Sequence, residues 1–231
     1  MKIAGLQRVT LLDYPEHIAA SVFLAGCNLN CGFCHNRWMI RESEVQEALS
    51  IEEFFDWLET REGLLDGVCV SGGEPTIHPE LPDFVRRIKS LGFDLKLDTN
   101  GTLPERLKVL LDEGLVDYVA MDIKAPLDSR YNDVAGVRVN LEAIRQSMQL
   151  IRTKAPAYEF RTTVGPLLDA EALEEIAHEI GEFDRWYLQP FERVPTVDPV
   201  VAEADALEAQ ELEELIERLA KIAPGVQLRA T

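Results

Sequence analysis

Residues 67–101 read GVCVSGGEPTIHPELPDFVRRIKSLGFDLKLDTNG. An apolar β-type run at 67–71 gives way to Gly-Gly-Glu-Pro, then to Leu81, Phe84, Val85 and Ile88 at helical spacing, then past Gly92 to a second β-type run at 93–98. Strand, helix and strand in so short a stretch make a parallel crossover unit. Working outward, the same alternation predicts strands at 19–24, 118–124, 158–164 and 186–191. The helices between them are punctuated in the sequence. Ser50 and Glu53 form a capping box ahead of an apolar face of Ile51, Phe54, Phe55 and Leu58, and Gly63 closes that helix. Pro104 opens a helix carrying Leu107, Leu110 and Leu111 before Gly114, and Asn140 and Asp169 read as N-caps of two more. The last helix follows Asp205, with Glu208 at the capping-box position, and presents Leu212, Leu215, Ile216 and Leu219 to a core.

About six such units fall short of the eight of a closed barrel. The expected fold class is therefore α/β: a partial (β/α)6 TIM-like barrel of parallel strands with outer helices. Residues 1–231 read as a single domain with a short C-terminal helical extension. The connections at 125–139 and 192–203 are longer than packing demands and read as loops. In barrels of this kind chemistry gathers at the C-terminal ends of strands. Those ends carry the polar motifs here: a cysteine loop, SGGEP, DTNG, DIK, FRTTV and LQPF, in order. Side chains alternate across a strand, so Lys96 shares a face with Asp98, Asp122 with Lys124, and Arg161 with Thr163. Asp98, Asp122, Lys124 and Arg161 are expected to face a polar cavity, because helices cover the outside of such strands.

Composition narrows the function classes. The 231 residues include 41 acidic and 23 basic side chains, a net charge of -18, which argues against nucleic acid or an anionic membrane as the main partner. A basic or neutral partner surface is favoured. No apolar run approaches the roughly 18 residues needed to span a bilayer, and the N-terminal residues lack an export-signal layout, so a cytoplasmic location is expected.

The cysteines carry the chemistry. Cys27, Cys31 and Cys34 lie within AGCNLNCGFCHN, while the fourth, Cys69, sits in an apolar strand run and reads as a buried core residue. Three thiolates can hold three irons of a four-iron cluster and leave the fourth iron open to react, whereas an electron-transfer ferredoxin closes its cluster with a fourth cysteine. A disulfide framework does not suit so few cysteines in a chain of this length. Structural zinc is the rival reading, but it wants four ligands, and the extra one nearby, His35, adjoins Cys34. His17, His78 and His178 read as hydrogen-bonding residues, and His35 as a residue able to tune a cluster from beside it.

The cysteine spacing, with Phe33 before the third cysteine and SGGEP after one strand-helix-strand step, resembles the radical S-adenosylmethionine superfamily. CHN after Cys34, then DTNG and DIK, narrow the resemblance to activating enzymes of glycyl-radical proteins. GLQRVTLLDYP, YEFRTTV and YLQPF are similar to the anaerobic ribonucleoside-triphosphate reductase activating group, over nearly the whole chain. The resemblance implies that Cys27, Cys31 and Cys34 bind a [4Fe-4S] cluster whose open iron takes S-adenosyl-L-methionine. Reductive cleavage then yields a 5'-deoxyadenosyl radical that abstracts the α-hydrogen of a glycine. It also implies that Phe33 meets the adenine through its backbone, and that Ser71, Gly72, Gly73 and Glu74 form the turn that meets the methionine amino group. By the same resemblance Asp98, Thr99 and Asp122 help place a monovalent cation beside the cofactor carboxylate, with Lys124 near that group and Arg161 lining the pocket. The implied partners are the anaerobic ribonucleotide reductase as protein substrate and a reduced flavodoxin or ferredoxin as electron donor. Glu192 departs from pyruvate formate-lyase activating enzyme, which has a histidine there, so no role is carried onto it. Activation of another glycyl-radical enzyme such as pyruvate formate-lyase, small-molecule chemistry of the deazaguanine synthase type, and a non-catalytic metal module are the alternatives.

Overall fold

The structure, a computed structural model, describes residues 1–182, 184–194, 198–204, 207 and 209–229. In chain order its elements are β1 (Ile3–Thr10), β2 (Ala19–Leu24), α1 (Ile51–Glu59), β3 (Gly67–Gly72), α2 (Leu81–Ser90), β4 (Asp94–Thr99), α3 (Pro104–Asp112), β5 (Tyr118–Asp122), α4 (Arg130–Ala135), α5 (Leu141–Lys154), β6 (Ala157–Val164), α6 (Ala170–Ile180), β7 (Trp186–Pro190), α7 (Pro199–Glu203), α8 (Ala209–Leu219) and β8 (Val226–Leu228). The strands form one sheet in the order β1 to β8, with β1 antiparallel to β2. The pairs β2–β3, β3–β4, β6–β7 and β7–β8 are parallel. All six expected strands are present within two residues of their expected bounds.

Two strands were not expected. β1 exposes Gln7, Arg8 and Val9 and carries no clean alternation, so its sequence does not read as half-buried; edge pairing to β2 makes it a strand. β8 has three residues, too few for a periodic signal. The two long connections also hold helices, α4 in 125–139 and α7 in 192–203, which corrects their reading as loops. Each is so short that apolar periodicity has barely one or two turns in which to appear. Asp205 and Glu208, the expected start of the last helix, lie outside the described residues. α8 does bury Leu212, Leu215 and Leu219, with Ile216 half-buried.

The chain divides into two compact units. The first comprises Met1–Asn28, Trp38–Ala120 and Glu142–Tyr158. Its β3 buries Gly67 through Val70, as a strand covered on both faces must. Gly67 is held to a hydrogen atom: a Cβ there would lie 2.8 Å from the Asp94 carbonyl and 2.9 Å from the Tyr14 ring. Outside, α1 and α2 join through Phe54, Phe55 and Phe84, whose ring centroids lie 5.1 to 5.4 Å apart, and the Arg87 guanidinium stacks 3.8 Å over Phe55. The second unit comprises Leu29–Arg37, Met121–Leu141 and Glu159–Thr231. Its centre is Trp186, fully buried, whose indole N–H donates to Thr162 Oγ1 at 3.0 Å while that hydroxyl donates to the Ile123 carbonyl at 2.8 Å. Among the described residues no helix is long and apolar enough to cross a membrane.

The capping box that the sequence predicted at α1 is formed in both directions: Glu53 N donates to Ser50 Oγ at 3.1 Å, and Ser50 N donates to Glu53 Oε2 at 2.9 Å. Ser50→Ala should therefore cost about 1 kcal/mol and lower the thermal midpoint by about 2–4 °C. An unchanged midpoint in a melting experiment would show that the box contributes nothing in solution.

Candidate active site

In the first unit the SGGE turn approaches the loop after β2 more closely than any side chain permits. A Cβ on Gly72 would fall 2.2 Å from the Leu24 carbonyl, and one on Gly73 2.1 Å from the Gly26 carbonyl and 3.1 Å from Cys27 Cβ. Gly72 also has φ +125, open to glycine alone without strain. With no side chains between them the backbones bond directly: Gly73 N donates to Leu24 O at 2.9 Å and Glu74 N to Gly26 O at 2.8 Å. Gly26 N and Cys27 N are tied in turn to Met39 O at 2.7 Å and Ile40 O at 2.9 Å. The turn therefore fixes the backbone that presents Cys27.

Glu74 is fully buried and its carboxylate is occupied. Oε1 accepts from Thr76 N at 3.0 Å, from the Thr76 hydroxyl and from Thr99 Oγ1 at 2.8 Å; Oε2 accepts from Asn100 N at 2.6 Å. Burial pushes this carboxyl above its ordinary range, against the downward pull of those hydrogen bonds. A carboxylate so placed ties the SGGEP turn to the DTNG turn. Thr99 is likewise engaged, donating to Glu74 and accepting from Gly101 N at 3.1 Å. Lys96, 1% exposed, reaches along the same face of β4 to bond Asp98 Oδ1, while Ser71 Oγ donates to Asp98 Oδ2 at 2.9 Å. Buried His78 holds the Ala25 carbonyl at 2.8 Å, the structural role expected of it.

The second unit gathers Asp122, Lys124 and Arg161. Lys124 Nζ lies 2.9 Å from Asp122 Oδ2, and Arg161 Nε 2.8 Å from Asp122 Oδ1, with all three side chains mostly buried. Burial works against the Asp122 charge, but Arg161 and Lys124 outweigh it and hold the carboxyl well below its usual range. Burial likewise opposes the Lys124 charge and is overcome by Asp122 and Cys31, so this ammonium stays protonated. Cys31 is buried, which pushes its thiol up, and the Lys124 charge pulls it back toward thiolate. Cys34 N donates to Cys31 O at 3.2 Å, closing a tight turn between these two cysteines. Lys124 Nζ also sits 5.8 Å from the Phe33 ring centroid, and Phe33 lines an apolar cleft with Val134, Gly165, Pro166, Leu167 and Val201. Asp122, Lys124 and Arg161 thus come together within this unit, and within the first unit Asp98 pairs with Lys96.

Several supporting residues were missed in the sequence. Tyr131 on α4 is fully buried, and its hydroxyl accepts from Lys124 N at 3.4 Å. Asn30 N donates to Ala135 O at 2.8 Å, and Gly136, at φ +66, passes so close that a Cβ would lie 2.2 Å from the Asn30 carbonyl. From the other long connection, Asp198 N donates to Gly32 O at 2.9 Å, Asp198 pairs with Arg37 at 3.3 Å, and Val201 fills the space a Gly32 side chain would need. His35 Nε2 lies 3.1 Å from the Glu192 carbonyl, so the backbone rather than the acid of Glu192 reaches the cysteine loop. Only the length of the two connections signalled these contacts.

Thiolates are the donors an iron-sulfur cluster takes, so the chemistry of these three cysteines suits one. Cys27, Cys31 and Cys34 are free of disulfides, and a lysine charge lies beside Cys31. Among the described residues no three His, Cys, Asp or Glu side chains crowd together tightly enough for a single metal ion; a cubane asks less, because each thiolate takes its own iron.

Comparison with known proteins agrees. Residues 21–180 match the Radical SAM superfamily. The chain belongs to that superfamily. A relative from Methanocaldococcus jannaschii, named provisionally as a glycyl-radical enzyme activating enzyme, is 32% identical over 98% of this chain and 95% of its own length. Pyruvate formate-lyase-activating enzyme from Clostridium pasteurianum is 31% identical over 58% of this chain and 57% of its own. Among solved structures, Streptococcus suis SuiB bound to S-adenosylmethionine is similar with TM-score 0.69 at 14% identity, covering 90% of this chain and 51% of SuiB, a likeness of fold. The fold is α/β, a parallel-strand sheet with flanking helices, like the partial barrels of radical SAM proteins. Membership implies a [4Fe-4S] cluster and S-adenosylmethionine as cofactors.

Asp122 with its two cations makes stability depend on pH in a defined direction. A carboxyl depressed on folding stabilises above its unfolded value, near 3.8, and loses that contribution as pH falls toward the folded value. Asp122→Asn, which removes the carboxylate charge that Lys124 and Arg161 share in a mostly buried setting, should cost about 3 kcal/mol at neutral pH. Melting curves against pH should show the gap between wild type and variant constant near neutrality and shrinking below the ordinary aspartate range. A gap that widened in acid would contradict the pairing.

Proposed function

We propose that this protein activates an anaerobic ribonucleoside-triphosphate reductase by abstracting the α-hydrogen of one glycine in it, leaving a glycyl radical. The observation that carries this reading is end-to-end likeness to a protein named for glycyl-radical activation, in a chain whose four cysteines suffice for one cluster. A second cluster, used by many relatives that modify small molecules or peptides, would need cysteines that this sequence lacks. The choice of the reductase rests on the motifs GLQRVTLLDYP, YEFRTTV and YLQPF. Residues 1–231 act as one catalytic domain in the cytoplasm, and a reduced flavodoxin or ferredoxin supplies electrons.

The bound cluster supplies the electron that cleaves S-adenosylmethionine. Cys27, Cys31 and Cys34 would hold three of its irons. The backbone of Ser71, Gly72, Gly73 and Glu74 would offer carbonyl oxygens to the methionine ammonium, a charge-assisted contact. Lys124 and Arg161 keep positive charge where a carboxylate would bind, and Asp122 keeps both ordered. Phe33 lines an apolar cleft, and its backbone on the cysteine loop would meet the adenine. Asp98 and Thr99 would border the cofactor from the end of β4.

Anaerobic mixing of the reduced holoenzyme, S-adenosylmethionine and the reductase should produce a glycyl doublet in the electron paramagnetic resonance spectrum. Silence with an intact cluster and cleaved cofactor would remove the reductase as partner and leave the radical chemistry standing. Cys31→Ala should drop cofactor cleavage to background and prevent assembly of a stable four-iron cluster; retained cleavage would strike Cys31 from the ligand set.

A further inference from the structure

In the second unit β6 and β7 lie side by side, with Arg161 opposite Tyr187 and Thr163 opposite Gln189. Their two faces differ. Phe160, Thr162, Val164, Trp186 and Leu188 are buried on one, where the Trp186 indole, the Thr162 hydroxyl and the Ile123 carbonyl bond in series. Arg161, Thr163, Tyr187 and Gln189 take the other, each half-buried. Along that second face the side chains are engaged one after another. Arg229 binds both oxygens of Glu159 at 2.8 Å and stacks 4.3 Å over the Tyr187 ring. Arg161 holds Asp122, which also holds Lys124, the lysine whose charge acts on Cys31. At the C-terminal strand ends the pattern stops: among the described residues, no hydrogen bond involves the side chain of Thr163 or of Gln189.

We propose that Gln189, seconded by Thr163, binds the main chain of the polypeptide substrate beside the glycine that gives up its hydrogen. A glycine has no side chain to grip, so its α-carbon can be placed only through the peptide groups that flank it. The Gln189 carboxamide carries a donor and an acceptor in one plane, the complement of a peptide group, and the Thr163 hydroxyl can give or take one bond more. An apolar residue in its place would leave the substrate's peptide groups without partners as water is excluded. Position supports the assignment. Both residues stand at C-terminal strand ends, where chemistry gathers in barrels of this kind, two residues along their strands from Arg161 and Tyr187. Val164 then leads directly into Gly165 and Pro166, which line the Phe33 cleft. The reacting carbon must be held closely, since a misplacement of about 1 Å can cost about a hundredfold in rate. This inference deepens the glycyl-radical reading and rests on it.

The test uses the reconstituted holoenzyme with S-adenosylmethionine, the reductase, and a synthetic peptide centred on the reductase's radical-bearing glycine. Gln189→Leu, close in volume but without polar atoms, should weaken calorimetric binding of the peptide about tenfold. It should also raise the number of 5'-deoxyadenosine molecules released per glycyl radical formed on the reductase, while S-adenosylmethionine affinity stays within about twofold of wild type. Thr163→Val should move the same readouts the same way by a smaller factor, and Gln189→Asn, which keeps the amide, should recover part of the loss. A residue that merely shapes the strand end would not separate peptide binding from cofactor binding. A Gln189→Leu enzyme that loses S-adenosylmethionine affinity tenfold overturns the proposal and makes Gln189 a cofactor ligand. One that binds the peptide and couples cleavage to radical formation as the wild type does overturns it as well. If Gln189→Leu does not fold, Thr163→Val and Gln189→Asn decide by the same split. A wild type that cleaves the cofactor yet leaves the reductase without a radical refutes the choice of partner, and the comparison is then read on pyruvate formate-lyase and its glycine peptide. Silence there too refutes both the glycyl-radical reading and the role of Gln189.

Discussion

The contact on which the site depends is backbone on backbone, where Gly72 and Gly73 lie against Leu24 and Gly26 at a distance that excludes any side chain. Strand ends rarely approach so closely, because a Cβ on either glycine would overlap a carbonyl oxygen. With glycine in both places, two amide hydrogen bonds form across the gap and carry the turn onto the loop that leads into Cys27. The buried Glu74 carboxylate completes the arrangement by gathering Thr76, Thr99 and Asn100 around two oxygens. One acid thus holds the turns after β3 and β4 in a single geometry, and four donors satisfied by one group repay its removal from water.

Charge is handled in the same manner in both units. The chain as a whole is strongly acidic, yet its buried carboxylates at Asp98 and Asp122 are each matched by lysine or arginine within hydrogen-bonding reach. Desolvation works against the Asp122 charge, and Arg161 and Lys124 outweigh it. Cys31 benefits from the same economy, because the lysine that serves Asp122 also draws its thiol toward the thiolate that a metal requires.

Much of this was legible in the chain. β3, α2 and β4 follow from apolar spacing and glycine punctuation, the α1 capping box from Ser50 and Glu53, and the shared strand faces of Lys96 with Asp98 and of Lys124 with Asp122 from the two-residue period of a strand, on which the structure then forms ion pairs. The cysteine spacing and SGGEP gave the superfamily before any fold was known. β1, β8, α4 and α7 were not legible, because an exposed edge or a single helical turn leaves no periodic signature.

The sequence by itself determined the α/β class, the six principal strands, the family and the residue types at its site, because these depend on patterns of a few neighbouring residues. Only the tertiary structure decided what those side chains touch: that the Glu74 carboxylate joins the turns after β3 and β4, that Asp98 pairs with Lys96, and that α4 and α7 secure Asn30 and Gly32. Whether a carboxylate is available or consumed depends on partners two to forty residues away, such as Arg161 for Asp122 and Asn100 for Glu74, and chain spacing carries no record of which of them arrive within hydrogen-bonding distance.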